Sequence, residues 1–166
     1  NVFQKIPTIP GRFESVNTGQ NFSVLVDYAH TEDALSKSIT AAKAFTRGKV
    51  IVVFGCGGDR DKGKRKKMGQ VALKNADFSV ITSDNPRTED PERIIDDICK
   101  DITDTGSYKT ITNRREAIGY AIGRAEKNDL VLIAGKGHED YQIVGTKKEH
   151  FDDQEVAKEF LGKRTH

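Results

Sequence analysis

Five short runs of apolar, β-branched or aromatic residues punctuate the chain, at 22–26, 49–54, 78–82, 108–111 and 130–134. Several are apolar on consecutive positions rather than alternate ones, which predicts strands covered on both faces, as in a parallel sheet between helices. Helical periodicities fill the gaps. Thr31 is placed to cap a helix whose first turn carries Glu32 and Asp33 and whose apolar stripe runs Leu35, Ile39, Ala42, finishing near Phe45. A second stripe is Met68, Val71, Ala72, Ala76. A third starts with Asp90 as cap and Pro91 in the first turn, then Ile94, Ile95, Ile98. Asn113 and Glu116 form a capping-box variant ahead of Ala117, Ile118, Ala121, Ile122 and Ala125, with a stop expected near Asn128. A last helix is expected from Asp152 through Val156, Phe160 and Leu161, with Gly162 at the stop position. Alternating strand and helix predict an α/β fold: a doubly wound, mostly parallel sheet with helices on both faces, Rossmann-like in its crossovers.

Composition narrows the function classes. With 166 residues, 36% hydrophobic and 31% charged, the chain suits one domain. A formal charge of +2, from 27 basic and 25 acidic residues, gives no global signal for nucleic acid or for a polybasic membrane anchor. The longest apolar stretches, 50–54 and 130–134, are five residues, against roughly 20 needed to span a bilayer. Only Cys56 and Cys99 are present, 43 positions apart, which suggests reduced thiols and a cytoplasmic setting. The opening residues 1–11, with Pro7, Pro10 and Gly11, read as a linker entering a first strand or hairpin, and Asn1 in place of Met suggests a piece of a longer protein.

The candidate chemistry sits where strands end, the edge at which open α/β sheets bind ligands. Asp84-Asn85-Pro86-Arg87 follows the third run. A planar guanidinium there favours a ligand carboxylate, although Asn-Pro followed by Asp90-Pro91 also describes a turn before a helix. Asp27-Tyr28-Ala29-His30 forms a strand-to-helix corner that either meets a ligand or only organises the turn. Gly55-Cys56-Gly57-Gly58-Asp59-Arg60 leads into a stretch, 60–67, in which six of eight residues are basic. It matches neither a Walker A loop nor the dinucleotide fingerprint, and a phosphate cradle and a solvated helix face both fit it. Gly135-Lys136-Gly137-His138-Glu139 ends the last run, with Glu139 and the Gly135 carbonyl suited to an ammonium group. His138 is a candidate base only in isolation, and His30, His138 and His150 have no recognised metal-ligand spacing.

In this order the four segments resemble the tripeptide synthetases of the Mur ligase family, enzymes of peptidoglycan synthesis. The resemblance implies a C-terminal Mur ligase domain over 12–166, with the central ATPase domain and the N-terminal UDP-binding domain absent from this chain. It implies ATP contacts at Arg12, Asp27, Tyr28 and His30. It implies contacts to meso-diaminopimelate at Arg60, Asp84, Asn85, Pro86, Arg87, Gly135 and Glu139. Lys66-Lys67 departs from the Arg-Pro often found there, removing a helix-entry proline. The implied reaction is ATP-dependent amide formation on a UDP-N-acetylmuramoyl dipeptide, with Mg²⁺ ligands mostly outside this chain and no catalytic residue assignable within it. The chain alone is expected not to turn over, and closure about the opening linker would bring it onto the ATPase domain. Neither nucleic acid nor membrane is an expected partner. A stand-alone amino-acid or nucleotide binding module is the alternative, and a nicotinamide-dependent dehydrogenase is disfavoured by the missing fingerprint.

Overall fold

Every second residue of the central strands faces a different hydrophobic core, which is why their sequences are apolar throughout. In the computed structural model, which describes residues 13–164, the strands and helices in chain order are β1 (Glu14–Ser15), β2 (Ser23–Asp27), α1 (Glu32–Phe45), β3 (Val50–Phe54), α2 (Gly63–Asn75), β4 (Phe78–Ile81), α3 (Pro91–Ile98), β5 (Tyr108–Thr110), α4 (Arg114–Arg124), β6 (Leu130–Ala134), β7 (Tyr141–Val144), β8 (Lys147–His150) and α5 (Asp153–Arg164). Val50, Val52, Phe54, Leu130 and Leu132 pack with Leu35, Ile39, Met68, Ile94 and Ile98 from α1, α2 and α3. Ile51, Val53, Val131 and Ile133 pack on the opposite face with Ile118, Ile122, Val156 and Leu161 from α4 and α5. Each fully buried aliphatic side chain contributes about 1.5–3 kcal/mol relative to exposure.

The six-stranded sheet has the order β1-β2-β6-β3-β4-β5, parallel except for β1, which pairs antiparallel with β2. The chain steps outward from β3 to β5 and returns through α4 to insert β6 between β2 and β3. Strand β6 then leads toward α5 on one face, whereas β2 and β3 lead to α1 and α2 on the other. The winding direction therefore switches beside β6, the position at which such sheets open a crevice. Register fixes what meets there: Asp27 pairs with Ala134 and Phe54 with Ile81, so the loops after β2, β3, β4 and β6 converge.

The expected caps form. Thr31 accepts from Ala34 N at 3.2 Å, Asp90 from Glu92 N at 2.9 Å and Asn113 from Glu116 N at 3.0 Å. Three expectations need correction. Helix α4 stops at Arg124 rather than near Asn128, because Ala125 is extended and the Asp129 carboxylate accepts from Glu126 N. Gly162 lies inside α5, which continues to Arg164, where the guanidinium reaches the Ile122 and Ala125 carbonyls. Lys66-Lys67 are the fourth and fifth residues of α2, which begins at Gly63, so the pair is not the helix entry. The linker expected at 1–11, and Arg12, lie outside the described residues; the strand expected next is β1.

The hairpin β7–β8 was not foreseen. Its second strand, Lys147–His150, is exposed along its whole length, so no apolar run announces it; the local signal is Gly145, at φ 63° in the turn.

Candidate functional site

The β4 loop is fastened from two sides. Gly58 N donates to Asn85 O at 2.7 Å, and Arg87 Nη1 donates to Gly58 O at 2.9 Å, tying this loop to the one after β3. The Asp59 carboxylate accepts from Thr88 N and Oγ1, adding a third tie. The hairpin grips the other side: Arg87 N donates to Ile143 O at 3.0 Å and Gly145 N to Arg87 O at 2.7 Å. Arg87 is held at φ 51°, an uncommon conformation for a side-chain-bearing residue, and the paired backbone bonds maintain it. Thus Asp84-Asn85-Pro86-Arg87 is more than a turn before a helix: residues 84–86 are buried and Arg87 is held half-buried at the edge.

Two glycines make room for this arrangement. A Cβ on Gly57 would lie 2.9 Å from Arg87 Nη1, so its absence lets that guanidinium approach the β3 loop, while Arg60 Cγ, at 3.7 Å, would be in ordinary contact. Gly135, at φ 117°, would bring a Cβ to 3.0 Å from Asp84 Oδ2. Arg60 itself stays exposed, its Nη1 on the neighbouring Asp59 carbonyl at 2.9 Å.

Lys136 fills the floor between the β4 and β6 loops and is fully buried. Its ammonium donates to Asn85 Oδ1 at 2.9 Å and Tyr141 O at 2.8 Å, with Asp84 Oδ1 at 3.3 Å and Glu139 Oε1 at 3.8 Å. Burial pulls its pKa below the ordinary lysine value, against the opposing pull of Asp84. Burial likewise raises the Glu139 carboxyl above the ordinary glutamate value, with Lys136 opposing. Cys56, by contrast, is pushed up to about 12 by burial and is no nucleophile at neutral pH.

Beneath the edge lie two further buried arginines. Arg114 makes a two-pronged pair with Asp153, both bonds 2.8 Å, and also donates to Ser83 O at 3.0 Å, in the loop just after β4, and to Ala134 O at 3.2 Å, the end of β6. Arg65 donates to Glu89, Asp97 and Gly57 O, linking the β3 loop to the segment after Arg87. The basic run at 60–67 is therefore not one solvated face. Arg65 is fully buried, while Lys66 and Lys67 pair with Asp101 and Glu32 outside. None of Arg65, Lys136, Arg114 and Asp153 was assigned a role from sequence.

At the β2 corner, Asp27 is buried and engaged within the domain: Oδ2 accepts from Ser38 Oγ at 2.6 Å and Ala29 N at 3.3 Å, Oδ1 from Phe13 N at 3.3 Å. Tyr28 and the exposed His30 meet edge to face with ring centroids 4.7 Å apart. His138 is exposed. Among the described residues no group of three or more His, Cys, Asp or Glu side chains is arranged to hold a metal ion, and no helix is long and apolar enough to cross a membrane.

An open, mostly parallel sheet with oriented charges at its topological switch places the domain in the doubly wound α/β class, whose members bind ligands at that edge. The chain belongs to the Mur ligase family: the family model described as "Mur ligase, glutamate ligase domain" matches residues 11–137. The UDP-N-acetylmuramoyl-L-alanyl-D-glutamate–2,6-diaminopimelate ligase of Trichormus variabilis is 54% identical over 166 residues, covering 99% of this chain and 34% of that protein. A ligase of the same description from Clostridium acetobutylicum is 52% identical over 159 residues, covering 95% and 33%. A solved structure of such a ligase superposes with a TM-score of 0.90 at 42% identity, covering 98% of this chain and 33% of that one. FolC of E. coli, at 20% identity and a TM-score of 0.59, shares the fold. The chain spans about a third of the length of the curated relatives it matches.

Proposed function

We propose that this domain holds meso-diaminopimelate for an ATP-dependent ligase that joins it to UDP-N-acetylmuramoyl-L-alanyl-D-glutamate. The observation that carries this reading is the fixed placement of Arg87, braced through Nη1 on Gly58 and through its backbone on the hairpin, with Glu139 on the neighbouring β6 loop. A guanidinium fork suits the distal carboxylate that diaminopimelate has and lysine lacks. Glu139 and the Gly135 carbonyl suit an ammonium, and Arg60, at the rim beside Arg87, suits a second carboxylate. Asp84, Asn85 and Pro86 shape the floor and wall.

In the reaction, a carboxylate of the D-glutamyl residue takes the γ-phosphoryl group of ATP, giving an acyl phosphate and ADP. The free amine of diaminopimelate attacks the acyl carbon, and the tetrahedral adduct loses a proton and expels phosphate to leave the amide. This domain's share is orientation: holding the amine in line replaces a bimolecular encounter by a local one. Mg²⁺, with ligands elsewhere in the complete enzyme, would offset the phosphate charge.

ATP contact through Arg12, Asp27, Tyr28 and His30 rests on the family resemblance. Asp27 is already committed to the corner, so its contribution there would be to position Tyr28 and His30 as much as to touch nucleotide. The test is kinetic: the full-length protein should form the tripeptide product from meso-diaminopimelate with ATP and reject L-lysine. Equal use of the two amino acids would overturn the assignment.

A further inference from the structure

The side-chain amide of Asn85 has only one admissible orientation. Its Oδ1 lies 2.9 Å from Lys136 Nζ and 3.0 Å from Ile143 N. An ammonium and a backbone N–H only donate, so the atom facing both must be the oxygen, and the two bonds use both of its lone-pair positions. Nδ2 makes no hydrogen bond among the described residues. A flipped amide would set its NH₂ against two donors, one of them charged.

Building on the function proposed above, we propose that Lys136 is a positioning residue for substrate selection, which saturates the Asn85 oxygen and so presents the Asn85 NH₂ to the ligand. Beside Arg87, two residues later on the same loop, the site then offers donors to a carboxylate and no acceptor on Asn85 to an ammonium. Selection is thereby double: a carboxylate gains a partner, and an ammonium meets a donor it cannot use. Lys136 needs no contact with the ligand for this. Its remaining bonds, to Tyr141 O and toward Asp84 and Glu139, hold the ammonium where it must be.

A double-mutant cycle in the full-length protein tests the role, with dissociation constants for meso-diaminopimelate, L-lysine and ATP measured by titration calorimetry for wild type, Lys136→Met, Asn85→Ala and the double variant. Lys136→Met should weaken diaminopimelate binding roughly 10- to 100-fold, the scale of one charge-linked hydrogen bond, and narrow the preference over lysine, with ATP affinity unchanged. In the Asn85→Ala background the same change should add less than about threefold, because coupled residues fail to add. Additive losses, or an unaltered preference in Lys136→Met, would overturn the role while leaving the proposed function standing. A wild type that binds no diaminopimelate would overturn both. Should Lys136→Met fail to melt cooperatively, the Asn85 side-chain amide resonance of wild type, identified by its loss in Asn85→Ala, decides: diaminopimelate should shift it, and an unmoved resonance sinks the idea.

Discussion

Arg87 and Gly58 are joined through one edge of the guanidinium: Nη1 donates to the Gly58 carbonyl at 2.9 Å, while Nε and Nη2 make no hydrogen bond among the described residues. The Nε–Nη2 edge is the side-on face with which arginine grips a carboxylate by two parallel bonds. Arg87→Lys keeps the charge, loses that edge and cannot both reach Gly58 and fork a ligand. We expect kcat/KM for diaminopimelate in the full-length enzyme to fall about 100-fold or more for Arg87→Lys and further for Arg87→Ala, each charge-assisted bond being worth about 1.5–3 kcal/mol. The KM for ATP should stay within a few-fold. Unchanged kcat/KM for diaminopimelate in either variant would remove Arg87 as the selector.

If the domain holds an amino acid as proposed, Glu139 sets a pH limit on its binding. Burial raises its carboxyl above the ordinary glutamate value of 4.5, so it takes up its proton at a higher pH than a solvated glutamate. The carboxylate that would hold the ligand ammonium is therefore present above the raised pKa and lost as pH falls through it. Diaminopimelate affinity should decline on acidification at a higher pH than it would with a solvated glutamate, and Glu139→Gln should bind more weakly at neutral pH with a flatter profile. Calorimetric dissociation constants across pH 5–8 check this; parallel profiles for the two proteins would count against it.

The Arg114–Asp153 pair underpins the edge. Both side chains are fully buried and the guanidinium also satisfies the carbonyls of Ser83, just after β4, and of Ala134, at the end of β6. Removing one partner strands the other charge in the core, a loss of about 3–5 kcal/mol. Against the roughly 5–15 kcal/mol of a typical domain, that is a large fraction. Denaturant unfolding should show this loss for Arg114→Met and Asp153→Leu separately, and a smaller loss for the two together, because no uncompensated charge remains. A double variant as unstable as the sum of the singles would contradict the pairing.

These buried charges show where sequence reading stops and why. The strands were legible because residues covered on both faces must be apolar at consecutive positions, and 130–134 coincides with β6. The helix starts were legible because Thr31, Asp90 and Asn113 each satisfy a backbone N–H that the first turn leaves open. Arg65, Arg114 and Asp153 were hidden by their charge, yet each opens the stripe it belongs to. Arg65 precedes Met68, Gly69 and Ala72, Arg114 precedes Ala117 and Ile118, and Asp153 precedes Val156 and Ala157, all at intervals of three, four or seven. A charged residue extending an apolar stripe backwards into the first turn is the signal. Lys136 lay within a quoted motif but received no role, since only the fold brings Asn85 and the hairpin carbonyl of Tyr141 to it. The hairpin itself is too polar and too exposed for periodicity to reveal.

Arg65 also gives the fold an acid-sensitive brace. Its hydrogen bonds hold Glu89 at about 2, well below the ordinary 4.5. A carboxylate whose folded pKa is depressed binds fewer protons folded than unfolded, so its stabilisation is full above about 4.5 and is lost as pH falls toward about 2. The melting temperature of wild type should exceed that of Glu89→Gln at pH 6, with the gap closing between pH 4.5 and 2. A gap that is constant with pH would show that the charge on Glu89 is not what stabilises.

Gly58 is the narrowest point of the arrangement, and it tests whether Arg87 is placed by the loops or merely resides on them. A Cβ at Gly58 would overlap the Pro86 carbonyl oxygen and sit 3.3 Å from Ile94 Cδ1, and the obstruction is backbone, which cannot rotate aside. Gly58→Ala must therefore part the β3 and β4 loops, and the parting breaks the Gly58 N to Asn85 O and Arg87 Nη1 to Gly58 O bonds together. Overpacking of this kind costs about 1–3 kcal/mol, which the domain should survive. Recognition should not survive as well, because a displacement of about 1 Å at a positioning group is worth roughly 100-fold in rate. The expected outcome is a folded variant with near-normal KM for ATP and a kcat/KM for diaminopimelate reduced as far as in Arg87→Lys. Normal diaminopimelate kinetics in a folded Gly58→Ala protein would mean that Arg87 finds its ligand without the brace.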